Sequence, residues 1–432
     1  MCPMLLGFVK RRVGKMILAR TTRNGLDLRT LNLMPDSVTM PLQRVGLDPM
    51  PEMAEVRSEQ PVKKLADMFG MGVWLISGYD EARAVLAGGN AFSNDLGRLI
   101  SQEGHAAKDQ IGGLGMTDPP GHTLLRKLLT PEFTRKRLAR MEPRIEAIVN
   151  ARLDAMELAG PEVDLVAEFA FPVPFEVICE LLGLPIEDRA FFHSLGAARF
   201  DLTAGTAGAF GAAGKSREFL IDSVAKQRKN PGDGLIGGLL AEHGDQLDDV
   251  VLGGLADGVF LGGYETSASM LALGSYLLAQ HPHAMEMLRQ DATSADRVIE
   301  ELLRHLTVVQ LAFLRFARED MELGGQQIKE GDCIGVSLLG ANRDPALTPD
   351  ADAFDPTREP TRHLAFGHGL HRCVGAELAK MELRIAMRAL AHRFPELTVA
   401  ARPEELEFRK LSAVYGVEKL PVQLRDPKLA SA

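Results

Sequence analysis

The sequence predicts a mainly α protein with a small β portion, folded as one domain around something buried. Three observations carry that expectation. Stretches with apolar residues at helical spacing dominate the chain, strand-like runs are few and short, and after residue 60 there is no internal repeat, low-complexity tract or linker-like shift in composition. With 46% hydrophobic and 25% charged residues, the 432-residue chain has ordinary globular usage and can bury most of its surface in a large core. Residues 1–60 are read as an N-terminal leader, basic at its start, and residues 61–432 as the domain.

In chain order, residues 135–157 place Leu138, Met141, Ile145, Ile148, Val149 and Leu153 on one helical stripe, with charges between them. Residues 162–185 and 215–228 read as further helices. Residues 248–281 form the longest candidate helix: Asp248 and Asp249 suit its positive N-terminal end, and Pro282 limits extension past His281. Residues 284–305 and 373–394 are amphipathic helices. The strand-like runs are 72–77, 332–339 and a tail around 418–424, with turn clusters such as 324–332 between elements.

A net charge of -9 argues against a nucleic-acid binder, which needs a basic face. Cys2, Cys179, Cys333 and Cys373 are far apart and form no CxxC pair, so a disulfide framework is not expected and a reducing cytoplasm is. No run reaches the ~18 apolar residues of a spanning helix, so no transmembrane anchor is expected. Residues 5–23 carry Lys10, Arg11, Arg12, Lys15, Arg20 and Arg23 among apolar residues. That segment reads as a solvated leader; a basic amphipathic stretch could also touch an anionic membrane surface.

The sharpest feature is Phe366-Gly367-His368-Gly369-Leu370-His371-Arg372-Cys373-Val374-Gly375. Two glycines before the cysteine let backbone approach a bulky planar partner, and a strongly helical run follows. Cys373 therefore sits at a helix N-terminus, where free N–H groups favour a thiolate. Three chemistries use such a thiolate: a zinc site with His371, which lacks a second cysteine pair; a nucleophile, which lacks an acyl-transfer setting; and a haem ligand that pushes electron density onto iron.

FGHGLHRCVG resembles the haem loop of the cytochromes P-450 with every fixed position filled, and other motifs follow in that family's order. Glu301 and Arg304 share a helical face about seventy residues upstream, matching the family's ExxR pair, with Arg358 as the expected third member of a structural charge cluster. Leu261-Gly262-Gly263-Tyr264-Glu265-Thr266-Ser267 puts adjacent glycines inside a helix at a cost of up to ~1 kcal/mol each, explained by close packing or by a local opening. The run resembles the family's oxygen-binding helix, which implies proton-handling roles for Glu265 and Thr266. Asp118-Pro119-Pro120-Gly121-His122 through Arg126 resembles the segment that binds the haem propionates. By the same resemblance Arg315 and His371 are further propionate partners. Phe366 and Gly367 belong to the haem-binding loop, and His363 can order that loop by hydrogen bonding.

The resemblance implies a cytochrome P-450 fold, a single haem-enclosing domain, with haem b on an axial Cys373 thiolate as the metal ligand. It further implies a bacterial, cytoplasmic monomer that inserts one atom of dioxygen into an apolar small molecule by hydroxylation or epoxidation. No GxGxxG opens a βαβ unit in the chain, so electrons are expected from a separate ferredoxin and ferredoxin reductase. Lys127, Arg135, Lys136, Arg137 and Arg372 are the expected basic docking face. The alternatives are oxidative coupling, peroxide-driven chemistry, and a non-catalytic haem sensor or carrier. Cys179 and Cys333 read as core residues. Val259 and residues 306–313 are candidate pocket lining, with 97–116 and 195–214 as candidate covers.

Overall fold

Four-residue spacing of apolar side chains builds the core. A computed structural model describes residues 34–68, 70–95, 113–200 and 205–425, with backbone alone for 195–200 and 205–213. Helices of nine or more residues are α1 (Pro51–Glu59), α2 (Tyr79–Ala87), α3 (Gly121–Leu129), α4 (Glu142–Ala159), α5 (Pro172–Leu182), α6 (Ile186–Phe200) and α7 (Gly205–Lys229). They continue with α8 (Leu235–His243), α9 (Asp249–Gly263), α10 (Glu265–Ala279), α11 (Pro282–Gln290), α12 (Ala292–Leu306) and α13 (Ala376–Arg393). On α4, Ile145, Val149, Leu153 and Met156 are all fully buried, each contributing about 1.5–3 kcal/mol relative to exposure. They share one core with α5, α10, α12 and α13.

The β portion is small, as expected. One sheet has the order β3 (Val62–Met68), β4 (Met71–Ile76), β10 (Cys333–Val336), β7 (Arg315–Ala317), β5 (Phe92–Ser93), with β10 parallel to β4 and the other pairs antiparallel. β12 (Pro421–Gln423) joins β11 (Thr398–Val399) to β6 (Glu162–Asp164). Among the described residues no helix is long and apolar enough to cross a membrane.

Several boundaries differ from the sequence reading. Residues 34–60, read from the sequence as part of a leader, pack onto the body. Arg44 donates to the Leu306 and Thr307 carbonyls at 2.7 and 2.9 Å and to Gln310 Oε1 at 2.8 Å, while its guanidinium lies over the Tyr415 ring. The basic segment 5–23 and the loop 97–112 lie outside the described residues. The expected helix at 162–185 starts with strand β6 and a π-turn over Val166–Ala170 before α5. The expected 284–305 helix divides at Asp291, whose carboxylate caps α12 by accepting from Ser294 N–H. The long 248–281 helix is two helices: Asp248 caps α9, and Tyr264 breaks the axis between α9 and α10.

Two buried polar contacts fix the elements around the cysteine loop. Arg304, fully buried on α12, makes a bidentate pair with Glu301 at 2.7 and 2.7 Å and donates to the carbonyls of Asn342, Ala351 and Ala353. Arg358 donates to Glu301 Oε1 at 3.0 Å, and the Asp355 N–H joins it at 2.9 Å. Asn342 in turn accepts the Leu364 N–H at 2.6 Å, two residues before Phe366. The second contact lies between α10 and α13, where buried Glu382 is hydrogen-bonded by Ser267; burial pushes its carboxyl up to about 8.

Two outcomes follow. Glu301→Gln leaves Arg304 and Arg358 without their full counter-charge and costs about 3–5 kcal/mol in chemical denaturation; a loss below 1 kcal/mol would mean the cluster is not structural. Glu382 keeps its proton in the native protein up to about pH 8 but loses it near pH 4.5 when unfolded. Its contribution is therefore fully present below about pH 4.5 and is lost as pH rises, by about 1.4 kcal/mol per pH unit. Glu382→Gln removes this titration, so melts from about pH 5 to pH 8 should show the variant gaining stability relative to the parent as pH rises. A difference independent of pH would contradict the assignment.

Candidate active site

The loop ahead of α13 is shaped by its glycines. Gly367 and Gly369 have φ of 67° and 69°, a region that side chains rarely adopt. A Cβ on Gly369 would lie 2.4 Å from the Leu86 carbonyl oxygen, so only glycine lets the loop pass α2 so closely. The Cys373 N–H donates to the Phe366 carbonyl at 2.8 Å and closes the loop. Among the described cysteines Cys373 is the one with residue surface exposed, although its sulfur is enclosed by protein groups; Cys179 and Cys333 are buried throughout, with thiols pushed up to about 12 by burial, as core residues should be.

Opposing influences act on the Cys373 thiol. Cys373 does lie three residues before α13, and the Gly375 N–H, Arg126 and Arg372 all favour its anion. Burial nevertheless dominates and raises the thiol above its ordinary value. The surrounding protein prepares Cys373 for a cationic partner without ionising it alone.

The expected propionate partners come together from three segments. His122 on α3 and His371 in the loop face each other with ring centroids 4.2 Å apart and planes tilted by 50°. Arg315 on β7 is buried, donates to the Phe313 carbonyl at 2.7 Å and is coupled electrostatically to His371; Arg126, one turn after His122, is coupled to Cys373. Burial lowers all four: Arg315 to about 10 and His371 to about 3, with the neighbouring His122 and Arg315 adding to the latter. Asp118 is the anion that partly offsets them, held by Ser93, by the Asn94 N–H at 2.8 Å and by Arg318 at 2.7 Å.

This set fits a haem. Both ring nitrogens of fully buried His122 and Nδ1 of His371 have no hydrogen-bond partner among the described residues, at a cost of about 1–3 kcal/mol per unpaired buried polar group. Two propionates would supply acceptors to these ring nitrogens and negative charge to Arg126 and Arg315, and the Cys373 thiol has the donor chemistry for iron.

At the helix break the two glycines answer to different explanations. A Cβ on Gly263 would press to 2.5 Å from Ile178 Cδ1, so Gly263 serves close packing against α5; a Cβ on Gly262 would meet nothing within 4 Å, so Gly262 supplies the local opening. The Thr266 hydroxyl donates to the Gly262 carbonyl at 2.6 Å, capping backbone exposed by the break. Tyr264 packs in an aromatic group with Phe171, Phe175 and Phe260. Glu265 is raised to about 7 by burial, against the pull of Arg409, which donates to its Oε1 at 2.8 Å.

Arg409 is the residue sequence reasoning missed here. It also donates to Glu418 at 3.1 Å, and Glu418 is half exposed, so Arg409 connects the interior acid to a surface carboxylate. Glu265 and Arg409 lie 144 positions apart, and no local pattern links them. Of the candidate lining, Val259 on α9 and, in 306–313, Leu306 and Val308 all belong to the buried core. Gln310 is also buried, held by Arg44 and by the Leu42 and Ser412 carbonyls, and only Phe313 of that run is strongly exposed.

The family model described as cytochrome P450 matches residues 221–420. Cytochrome P450 165B3 of Amycolatopsis orientalis is 40% identical over 386 residues, covering 88% of this chain and 97% of that protein. The monooxygenase PikC of Streptomyces venezuelae is 38% identical over 388 residues, covering 89% and 92%. Among solved structures, OxyB from Actinoplanes teichomyceticus is 41% identical with a TM-score of 0.76, covering 89% of this chain and 99% of that one. OxyC, implicated in an oxidative C–C coupling reaction during vancomycin biosynthesis, is 36% identical with a TM-score of 0.80, covering 88% and 95%. A chain this similar along nearly its whole length belongs to the cytochrome P450 family, whose monooxygenases carry haem on a cysteine thiolate.

Proposed function

We propose that this protein is a haem-thiolate monooxygenase that hydroxylates or epoxidises an apolar small molecule, with Cys373 as the iron ligand and electrons from a separate ferredoxin and its reductase. The observation that carries the reading is the pair at the helix break: a threonine hydroxyl on open backbone beside an acid connected through Arg409 to the surface. A haem carrier or sensor has no use for such a pair. Bound haem would supply dioxygen activation and oxygen insertion. The protein's own groups would do the rest. His122, Arg126, Arg315 and His371 hold the propionates, Phe366 and Gly367 shape the loop around Cys373, Thr266 offers its hydroxyl beside Gly262, and Glu265 passes protons inward. An acid near 7 is suited to that task, because it gains and loses a proton with little driving force on either side.

Oxidative coupling is the second reading, favoured by the similarity to OxyC. The two differ in product: oxygenation adds one oxygen atom to the substrate, whereas coupling removes two hydrogen atoms and adds none. Screening apolar natural-product intermediates for a shift of the haem absorption band identifies ligands. Mass analysis of product formed with NADPH, ferredoxin and reductase then separates the readings. NADPH-dependent formation of an oxygenated product supports the proposal; a dehydrogenated, coupled product supports the second reading.

The expected docking face is only partly basic. Arg135 pairs with Glu377, and Arg137 with Glu132 and Glu242, whereas Lys127, Lys136 and Arg372 enter no ion pair among the described residues. Leu124 and Leu370, close in sequence to Lys127 and Arg372, are exposed apolar side chains, and an apolar contact flanked by cations suits a protein partner. Lys127→Glu combined with Lys136→Glu should lower turnover at limiting ferredoxin roughly tenfold, with haem content and saturated turnover unchanged. Unaltered turnover at limiting ferredoxin would rule this face out.

A further inference from the structure

Glu300 precedes the buried Glu301 on α12 but serves a different set of partners. Its Oε2 lies 3.0 Å from His363 Nε2 and its Oε1 2.5 Å from Lys380 Nζ. His363 Nδ1 accepts the Ala365 N–H at 3.2 Å, which assigns the ring proton to Nε2 and makes His363 the donor to Glu300. Glu300 thus joins α12, the segment entering the cysteine loop, and α13 leaving it.

At the centre of these three segments is Phe366. The Lys380 ammonium lies 5.7 Å from its ring centroid, within range of a cation–π contact, and the His363 ring lies 6.3 Å away. The Phe366 carbonyl accepts the Cys373 N–H. All three polar residues are at least partly shielded, with side chains 26%, 5% and 29% exposed for Glu300, His363 and Lys380. Burial opposes the Glu300 charge, yet His363 and Lys380 outweigh it and hold the carboxyl at about 2, so the acid stays ionised between its partners. The Glu301 cluster fixes loop backbone through Asn342, whereas this group bears on the aromatic side chain one hydrogen bond from the cysteine.

We propose that Glu300, His363 and Lys380 are positioning residues that clamp Phe366 and thereby keep the Cys373 thiolate on the haem iron. The proposal rests on the reading of Cys373 as the iron ligand. Lys380→Met keeps side-chain length and removes the charge, His363→Phe keeps a ring and removes the hydrogen bonds, and Lys380→Arg is the conservative variant. The readout is the reduced carbon-monoxide complex, in which a thiolate ligand gives a red-shifted Soret band and its loss gives a blue-shifted one. Lys380→Met and His363→Phe should move the ratio of the two bands roughly tenfold toward the blue-shifted form, as expected for loss of a charge-assisted contact, with haem content retained and Lys380→Arg restoring the ratio. Band ratios equal to the parent's, even with a lower melting temperature, would overturn the clamp. Should His363→Phe fail to fold, the solvent-facing Lys380→Met decides alone. A parent protein without any red-shifted band would instead refute the ligand assignment itself.

Discussion

Two guanidinium groups meet one carboxylate inside the protein at Glu301, and the geometry around the cysteine depends on that meeting. Such a group is costly to bury and becomes tolerable only when nearly every donor is satisfied. Arg304 achieves this with Glu301 and three backbone carbonyls, and Arg358 with Glu301, Thr348 and the carbonyls of Pro349, Asp350 and Ala353. The acceptors belong to the irregular stretch between the short helix over Leu338–Asn342 and the cysteine loop. Moving that stretch would strand a buried charge, so its conformation is fixed without regular secondary structure. Asn342 transmits the constraint to Leu364, and from there it is a short step to Phe366 and Cys373.

The same low-polarity surroundings explain the electrostatics of the site. Burial raises the Cys373 thiol and lowers His122, Arg126, Arg315 and His371, so the surroundings disfavour the charged form of every group assigned to the cofactor. An iron porphyrin reverses each of these penalties, with a cation for the sulfur and anions for the basic side chains. Cofactor binding should therefore be strongly coupled to the stability of this region. Across the α9–α10 break, Glu265 and Glu382 are likewise raised by burial but are assigned different work, the first connected outward by Arg409 and the second enclosed against Ser267.

What could be read in the sequence was what is local in it. The cysteine loop, the Glu301–Arg304 spacing and the stretch from Asp118 to Arg126 are short strings whose geometry follows from neighbouring residues. Gly262 and Gly263 signalled a special place in a helix, yet not that Tyr264 would break its axis, because the break depends on packing against Ile178 and the aromatic group around Tyr264. The pairing of Glu265 with Arg409 and of Glu382 with Ser267 spans more than a hundred positions and has no periodicity to betray it. The packing of residues 34–60 onto the body is hidden for the same reason. Arg44 looks like one more basic residue until residues 306–310 supply its acceptors.

The central claim is that Cys373 is the thiolate ligand of a haem in this pocket, and one spectrum tests it most directly. Reduced with dithionite under carbon monoxide, the parent protein should show the red-shifted Soret band of a thiolate-ligated haem, and Cys373→Ser should lose it while Cys179→Ser and Cys333→Ser keep it. A Cys373→Ser protein that retained the band would contradict the account.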